Sequence, residues 1–366
     1  MVKRDLDEKL VLLSGPRQVG KTTLSKNLHP ASTQYFSFDE GEDRRVILKK
    51  AWSPEGDLVV LDELHKMPKW KSWLKGVYDT RGNRPRILVT GSARLDIYRK
   101  GGDSLAGRYF YHRLHPFSVS EVKREISPEE ALDRLMRFGG FPEPFLKASD
   151  RTAKRWRRSH LDRILREDLI DLEQIRNIKL LELLVDLLAT RVGKTVSYKS
   201  LSEDLQVSPH TVKNWIRVLE QMLVIFIVTP FSKNIARAIQ KEPKIYFYDT
   251  GRLLQDEGAR FENIVACALL KRNHYLEDTE GDRRELHYIR DREKREVDFL
   301  TVIENRPEWL IEAKTSETGP TSALRYYTGR IPGVKASQVV KNLSRKLYDD
   351  PVSIEPAAAW LAQLDA

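Results

Sequence analysis

The chain is poor in cysteine. Its 366 residues hold one, Cys267, so no disulfide forms within the chain, and a reducing compartment such as the cytoplasm is the expected setting. That lone thiol reads as a small buried group on a helix. Long apolar runs are missing too. The longest, residues 222–228, is far shorter than the roughly 20 residues that cross a bilayer, so no membrane association is expected. The start, Met1-Val2-Lys3-Arg4-Asp5-Leu6-Asp7-Glu8, is too charged for a secretion signal. Internal repeats, low-complexity tracts and long flexible linkers are absent from the sequence. Charge is abundant instead. Lys and Arg number 63 against 53 Asp and Glu, a net +10, which favours an anionic partner without saying which one. At this length two or three domains are expected.

The most specific local pattern is Gly15-Pro16-Arg17-Gln18-Val19-Gly20-Lys21-Thr22-Thr23. It follows an apolar run at 10–13 and opens a helical stretch at 21–28, the strand–loop–helix context that a phosphate-binding loop needs. Glycines let backbone N–H groups turn toward phosphate oxygens, and the helix N-terminus adds a favourable dipole. Lys21 is expected to reach the β- and γ-phosphates, and the Thr22 hydroxyl to coordinate Mg2+. A second apolar run, 58–61, ends in Asp62-Glu63. Such runs are buried parallel strands, and ligands bind beyond their carboxyl ends. Asp62 is expected to hold Mg2+ through water, and Glu63 to act as the base that polarises the attacking water. A third strand at 86–90 leads into Gly91-Ser92-Ala93-Arg94, where Thr90 or Ser92 is placed to sense the γ-phosphate. Arg108 is the first candidate for an arginine that stabilises charge developing on the phosphate, and Arg94 the second. Action within one chain and action on a neighbour's nucleotide both stay open for it; the latter implies a homo-oligomer.

In these motifs the chain resembles the AAA-type ATPases of a large bacterial and archaeal family that carries a C-terminal domain of unknown function. The matching residues are GPRQVGKTT at 15–23, LDELHK at 61–66, TGSA at 90–93, LAGR at 105–108, HPFSVSE at 115–121 and GGFPEP at 139–144. They continue through YFYDTG at 246–251, FEN at 261–263, EVDF at 296–299 and IEAK at 311–314. The lead-in before the first strand is shorter than that family usually has. The resemblance implies ATP as the nucleotide. It also implies an α/β chain that opens with a P-loop ASCE/AAA-type parallel-sheet domain at 1–120 and continues into a helical extension at 121–192.

Within that extension, residues 151–190 read as helical, with the basic cluster Lys154, Arg155, Arg157 and Arg158 on a solvated face. Residues 193–257 read as a winged helix. Ser208 supplies an N-cap and Pro209 the first helical position. The helix then buries Val212, Ile216 and Leu219. Its other face offers His210, Lys213, Asn214 and Arg217, with Lys213, Asn214 and Arg217 as the DNA-binding residues, which suits a recognition helix in a major groove. Two β-rich runs follow, at 224–228 and 244–248, with Lys233, Arg237 and Lys241 between them as a basic wing. Duplex DNA is the expected partner, and a protein partner is the alternative.

Residues 258–366 give a helix carrying Glu262, three strands, a helix and a strand. That order resembles the restriction-endonuclease-like PD-(D/E)XK fold. Asp298 and Glu312 on adjacent strands are then expected to hold Mg2+, with Glu262 adding a ligand through water. Lys314 shares a strand face with Glu312 because side chains alternate with period two, and it is expected to position the attacking water. Two functions follow. One is an ATPase that binds DNA and gates metal-dependent cleavage. The other is a nucleotide-dependent switch that binds a partner and cuts nothing.

Overall fold

The computed structural model describes the chain except residues 30, 83, 92–94, 96–104, 169–176, 233–241, 254–255, 318 and 365–366. It divides into two compact units, Met1–His115 with Gln221–Leu223, and Pro116–Glu220 with Val224–Ala366. No helix among the described residues is long and apolar enough to cross a membrane.

The first unit is built on five parallel strands: β1 (Leu10–Ser14), β2 (Thr33–Ser37), β3 (Leu58–Asp62), β4 (Arg86–Thr90) and β5 (Tyr109–Arg113), in the order β2-β3-β4-β1-β5. Period-two alternation explains why these runs are apolar throughout. Leu10, Leu12, Val59, Leu61, Ile87 and Val89 enter one core with Ile47, Trp70, Leu74 and Val77 from helices on that side. Val11, Leu13, Leu58, Val60 and Leu88 enter a second core, packed by Leu24 and Leu28 of the helix Lys21–Leu28. Both faces are covered, as a parallel sheet requires. The register aligns Asp62 with Thr90, and Leu13 with Thr90. The carboxyl ends of three strands therefore share one edge, and the phosphate loop leaves from it.

The second unit begins with helices. Pro128–Phe138 starts on a Ser127 cap with Pro128 at its first turn. Asp150–Arg163 and Ile178–Ala189 occupy the stretch expected to be helical. Arg157 departs from the expected solvated face. It is buried, donating to the Phe138 carbonyl at 2.9 Å, because Trp156, Arg157 and His160 turn inward together. Lys154, Arg155 and Arg158 are exposed.

The helices Tyr198–Leu205 and Pro209–Gln221 precede an antiparallel hairpin, β6 (Ile225–Pro230) and β7 (Lys244–Phe247), with an isolated bridge from Thr195 to Lys244. The long helix Glu257–Glu280 then leads into β8 (Arg284–Arg290), β9 (Glu296–Ile303) and β10 (Arg306–Lys314). The helix Ser322–Thr328 and β11 (Lys335–Val340) follow in the expected order. Two short strands, β12 (Leu347–Asp349) and β13 (Val352–Pro356), and a helix Ala357–Gln363 lie beyond what the sequence pattern announced. One sheet, β12-β13-β11-β10-β9-β8-β6-β7, runs through all eight strands. The hairpin joins it where Thr229 pairs with His287. Cys267 lies on the long helix with its thiol turned onto the Phe247 carbonyl at 3.2 Å. Burial pushes that thiol's pKa up, so the residue is packing rather than chemistry.

Candidate functional site

The phosphate loop, Gly15 to Gly20, connects β1 to the helix Lys21–Leu28. Gly15 is required by close approach, since a Cβ there would lie 2.3 Å from the Leu114 carbonyl oxygen. Lys21 is buried at the helix start, and its Nζ donates to the carbonyls of Gly15 at 2.9 Å and Pro16 at 2.8 Å. The loop thus curls around its own ammonium. Thr22 and Thr23 are exposed on the first turn of the helix.

Asp62 ends β3. Its Oδ1 accepts from the Thr90 hydroxyl at 2.5 Å and its Oδ2 from the Tyr35 hydroxyl at 2.5 Å. The Thr22 side chain stands close enough to the Tyr35 hydroxyl to act on its pKa. A run Thr22–Tyr35–Asp62–Thr90 therefore joins the first turn after the loop to the strand ends. Thr90, expected to sense phosphate, has its hydroxyl on Asp62 instead. Ser92, the other sensor candidate, and Arg94 lie outside the described residues. Tyr35 escaped sequence reasoning because β2 carries no motif. Its role follows only from β2 lying beside β3.

Glu63 follows with φ 55°, a left-handed conformation that a non-glycine residue adopts at a cost of about 1–3 kcal/mol. Burial, then the Asp62 charge, raises its pKa above the ordinary carboxylate value. His65 Nε2 stands 3.5 Å from Glu63 Oε2, and Lys66 Nζ 3.8 Å from the same oxygen, while Lys66 also bonds Asp39 Oδ1 at 2.7 Å. A desolvated carboxyl beside a second acid has the proton affinity that suits a base. The donor set also fits Mg2+. One hydroxyl and one carboxylate, Thr22 and Asp62, are held within reach of a single tyrosine.

Arg108 needs correction as a catalytic residue of its own site. Its carbonyl accepts from the Leu10 N–H at 3.2 Å, at the amino end of β1. The loop leaves from the other end, after Ser14. Five residues of strand put roughly 16 Å between the two edges. The guanidinium pairs instead with Asp79, Nε to Oδ1 at 2.8 Å.

Lys213, Asn214 and Arg217 are all exposed on Pro209–Gln221, opposite the buried Val212, Trp215, Ile216 and Leu219. Ser208 Oγ accepts from the Thr211 N–H at 3.1 Å, the expected cap. The wing lysines and arginine, Lys233, Arg237 and Lys241, lie outside the described residues.

Glu262, from the helix, and Asp298, Glu312 and Lys314, from β9 and β10, are linked through one set of contacts. Asp298 and Glu312 brace adjacent strands. The Asp298 N–H donates to Glu312 Oε2 at 3.3 Å, and the Ala313 N–H to Asp298 Oδ2 at 3.1 Å. Lys314 Nζ lies 2.9 Å from Glu312 Oε1. Burial and then Asp298 push Glu262 up to about 7 and Glu312 up to about 8. The residue not foreseen is Lys244. Its side chain is wholly buried, 3.3 Å from Glu262, 2.8 Å from Glu296 and 3.2 Å from Asp298. Burial disfavours its charge, but Asp298, Glu262 and Glu296 outweigh that and hold its pKa above the ordinary value. Its one trace in the sequence is a lysine heading an apolar strand. Among the described residues no group of three or more His, Cys, Asp and Glu is arranged to hold a metal ion.

The family described as AAA domain matches residues 7–123, a domain of unknown function (DUF8612) residues 129–257, and a second such domain (DUF4143) residues 257–353. The uncharacterized protein Rv2008c of Mycobacterium tuberculosis is 28% identical over 336 residues, covering 86% of this chain and 73% of that protein. The uncharacterized protein MJ1544 of Methanocaldococcus jannaschii is 25% identical over 394 residues, covering 96% and 86%. Among solved structures, a variant of Thermotoga maritima RuvB aligns at 17% identity and TM-score 0.32, over 66% of this chain and 93% of that one. Drosophila ORC bound to AT-rich DNA and Cdc6 aligns at 10% identity and TM-score 0.19, over 68% and 85%. An AAA domain and a C-terminal domain of unknown function are therefore both present. The AAA match supports nucleotide binding and hydrolysis in general terms.

Proposed function

We propose that this protein is an ATP-hydrolysing switch that meets duplex DNA through the exposed face of Pro209–Gln221, in a winged-helix arrangement. The observation that carries it is the convergence of Lys21, Thr22, Asp62 and Glu63 at one sheet edge. An incoming triphosphate takes the Lys21 ammonium from the neutral Gly15 and Pro16 carbonyls, adding Coulombic attraction between two full charges to the hydrogen bonds. Backbone N–H groups of Arg17, Gln18, Val19 and Gly20 turn to the phosphates. Thr22 and Asp62 are the residues that hold Mg2+. When bound, that ion neutralises charge on the β- and γ-phosphate oxygens. Glu63 accepts a proton from the attacking water. Arg108, out of reach of its own phosphates, acts on a neighbouring subunit's nucleotide in a homo-oligomer. Mixing Lys21→Ala with Arg108→Ala protein restores hydrolysis if so, and leaves it absent if not.

DNA contact is tested by anisotropy on a labelled duplex over a salt series. Replacing Lys213 and Arg217 with Glu is expected to weaken binding and to reduce the log–log salt slope by about 1 for each phosphate no longer neutralised. Unchanged binding moves the helix to a protein partner. The second reading is DNA cleavage at Glu262, Asp298, Glu312 and Lys314. The convergence of these residues favours it, and Lys244 opposes it. The Mg2+ that this reading requires does not fit the cluster as it stands. Plasmid DNA with Mg2+ or Mn2+, with and without ATP, is expected to stay intact. Cutting that disappears in Lys314→Ala would restore the nuclease.

A further inference from the structure

The carboxylates of the second unit fit an ammonium rather than a divalent ion. Lys244 Nζ lies 2.8–3.3 Å from one oxygen each of Glu262, Glu296 and Asp298. Mg2+ demands oxygens at about 2.0–2.1 Å in near-octahedral array. An ion drawn to the same oxygens would stand beside a buried positive charge, where repulsion is screened less than in water. The Tyr246 hydroxyl donates to the same Glu262 Oε1 at 2.6 Å, so that oxygen already serves two donors. Two further oxygens, Asp298 Oδ2 and Glu312 Oε2, accept from strand amides.

The lysine is also held by its backbone. Lys244 pairs with Val228 across the hairpin and bridges to Thr195, while the Val196 N–H donates to the Pro243 carbonyl at 2.8 Å. Gly193 closes the far side. Its φ is 78°, and a Cβ there would stand 2.6 Å from Glu262 Oε2.

We propose that Lys244 is the resident cation of this cluster, built in by the chain itself, and that its charge keeps divalent metal away from the carboxylates of Glu262, Glu296 and Asp298. The inference goes beyond the ATPase reading, and its test uses neither nucleotide nor DNA. Mn2+ binding to the nucleotide-free full-length protein is followed by electron paramagnetic resonance. Compared are the wild type, Asp298→Asn, Lys244→Ala and the double variant Lys244→Ala/Asp298→Asn.

The wild type is expected to bind no Mn2+ that Asp298→Asn removes. Lys244→Ala gains one Mn2+ at least about tenfold tighter, because affinity follows the charge of the ligand set. The double variant loses that gain. Lys244→Gln keeps a polar chain of similar length and carries the same expectation where the alanine variant fails to fold. Wild-type Mn2+ binding that depends on Asp298 overturns the proposal. So does a folded Lys244 variant that binds no more than the wild type.

Discussion

Two lysines in this chain are wrapped in oxygen, and they are wrapped differently. Lys21 rests on two neutral carbonyls of its own loop. Lys244, whose side chain has no solvent exposure, rests among three carboxylates that are themselves 12–25% exposed. A polyphosphate competes for an ammonium held by neutral carbonyls, because it adds attraction between full opposite charges. Around Lys244 three carboxylates already supply that attraction. The first arrangement is open to exchange with a ligand, and the second is closed. One residue type thus serves as a ligand grip in one unit and as an internal counter-ion in the other. The partner's charge and the local burial decide which.

The contrast breaks most sharply at the chemistry. Glu63→Gln is expected to keep ATP binding while turnover falls by about 10²–10⁴, the range for a lost general base. Nucleotide binding by fluorescence and phosphate release measured side by side check it, and normal hydrolysis would take the base assignment from Glu63.

Lys244→Ala comes next. Removing one partner of a buried ion pair costs about 3–5 kcal/mol, because the carboxylates are left uncompensated. Urea melts of the full chain report it. A loss under about 1 kcal/mol would mean that water already screens the cluster.

Lys21→Ala is the mirror image. It should weaken ATP binding by about 100-fold, or about 2.7 kcal/mol, with a smaller change in folding stability than Lys244→Ala, since the Gly15 and Pro16 carbonyls it holds carry no net charge. Calorimetric titration with ATP and a urea melt separate the two effects.

The smallest effect is a pH slope. The folded chain keeps a proton on Glu312 up to about 8, whereas the ordinary value is 4.5. Between these values the folded state binds more protons than the unfolded one. That contribution is fully present below the unfolded value and is lost as pH rises through the folded one. Glu262, pushed up to about 7, adds the same sign. Glu312→Gln should flatten the decline between about pH 5 and about pH 9 in urea melts. An unchanged slope would place the titration elsewhere.

Much of the first unit was legible. The runs at 10–13, 58–61 and 86–90 became β1, β3 and β4, because a strand buried on both faces must be apolar at every position. The helix Pro209–Gln221 was legible from its cap and its three- and four-residue spacing. Tyr35 was not, because its partners Thr22 and Asp62 are distant in sequence and meet only through sheet order. The strands β12 and β13 were too short to show a period. Arg108 had the right residue type in a matching motif, but strand direction put it at the wrong edge for its own nucleotide.

The sequence by itself determined the phosphate grip. Nine consecutive residues between a strand and a helix contain the turn, the amides, the ammonium and the hydroxyl that this chemistry needs. Only the tertiary structure decided the fate of the second cluster. Lys244 meets Glu262, Glu296 and Asp298 across separate strands and a helix, and the strength of that meeting depends on distance and burial. Neither quantity is written in residue order, so two of the acids expected to hold a metal, Glu262 and Asp298, form with Glu296 the seat of a lysine.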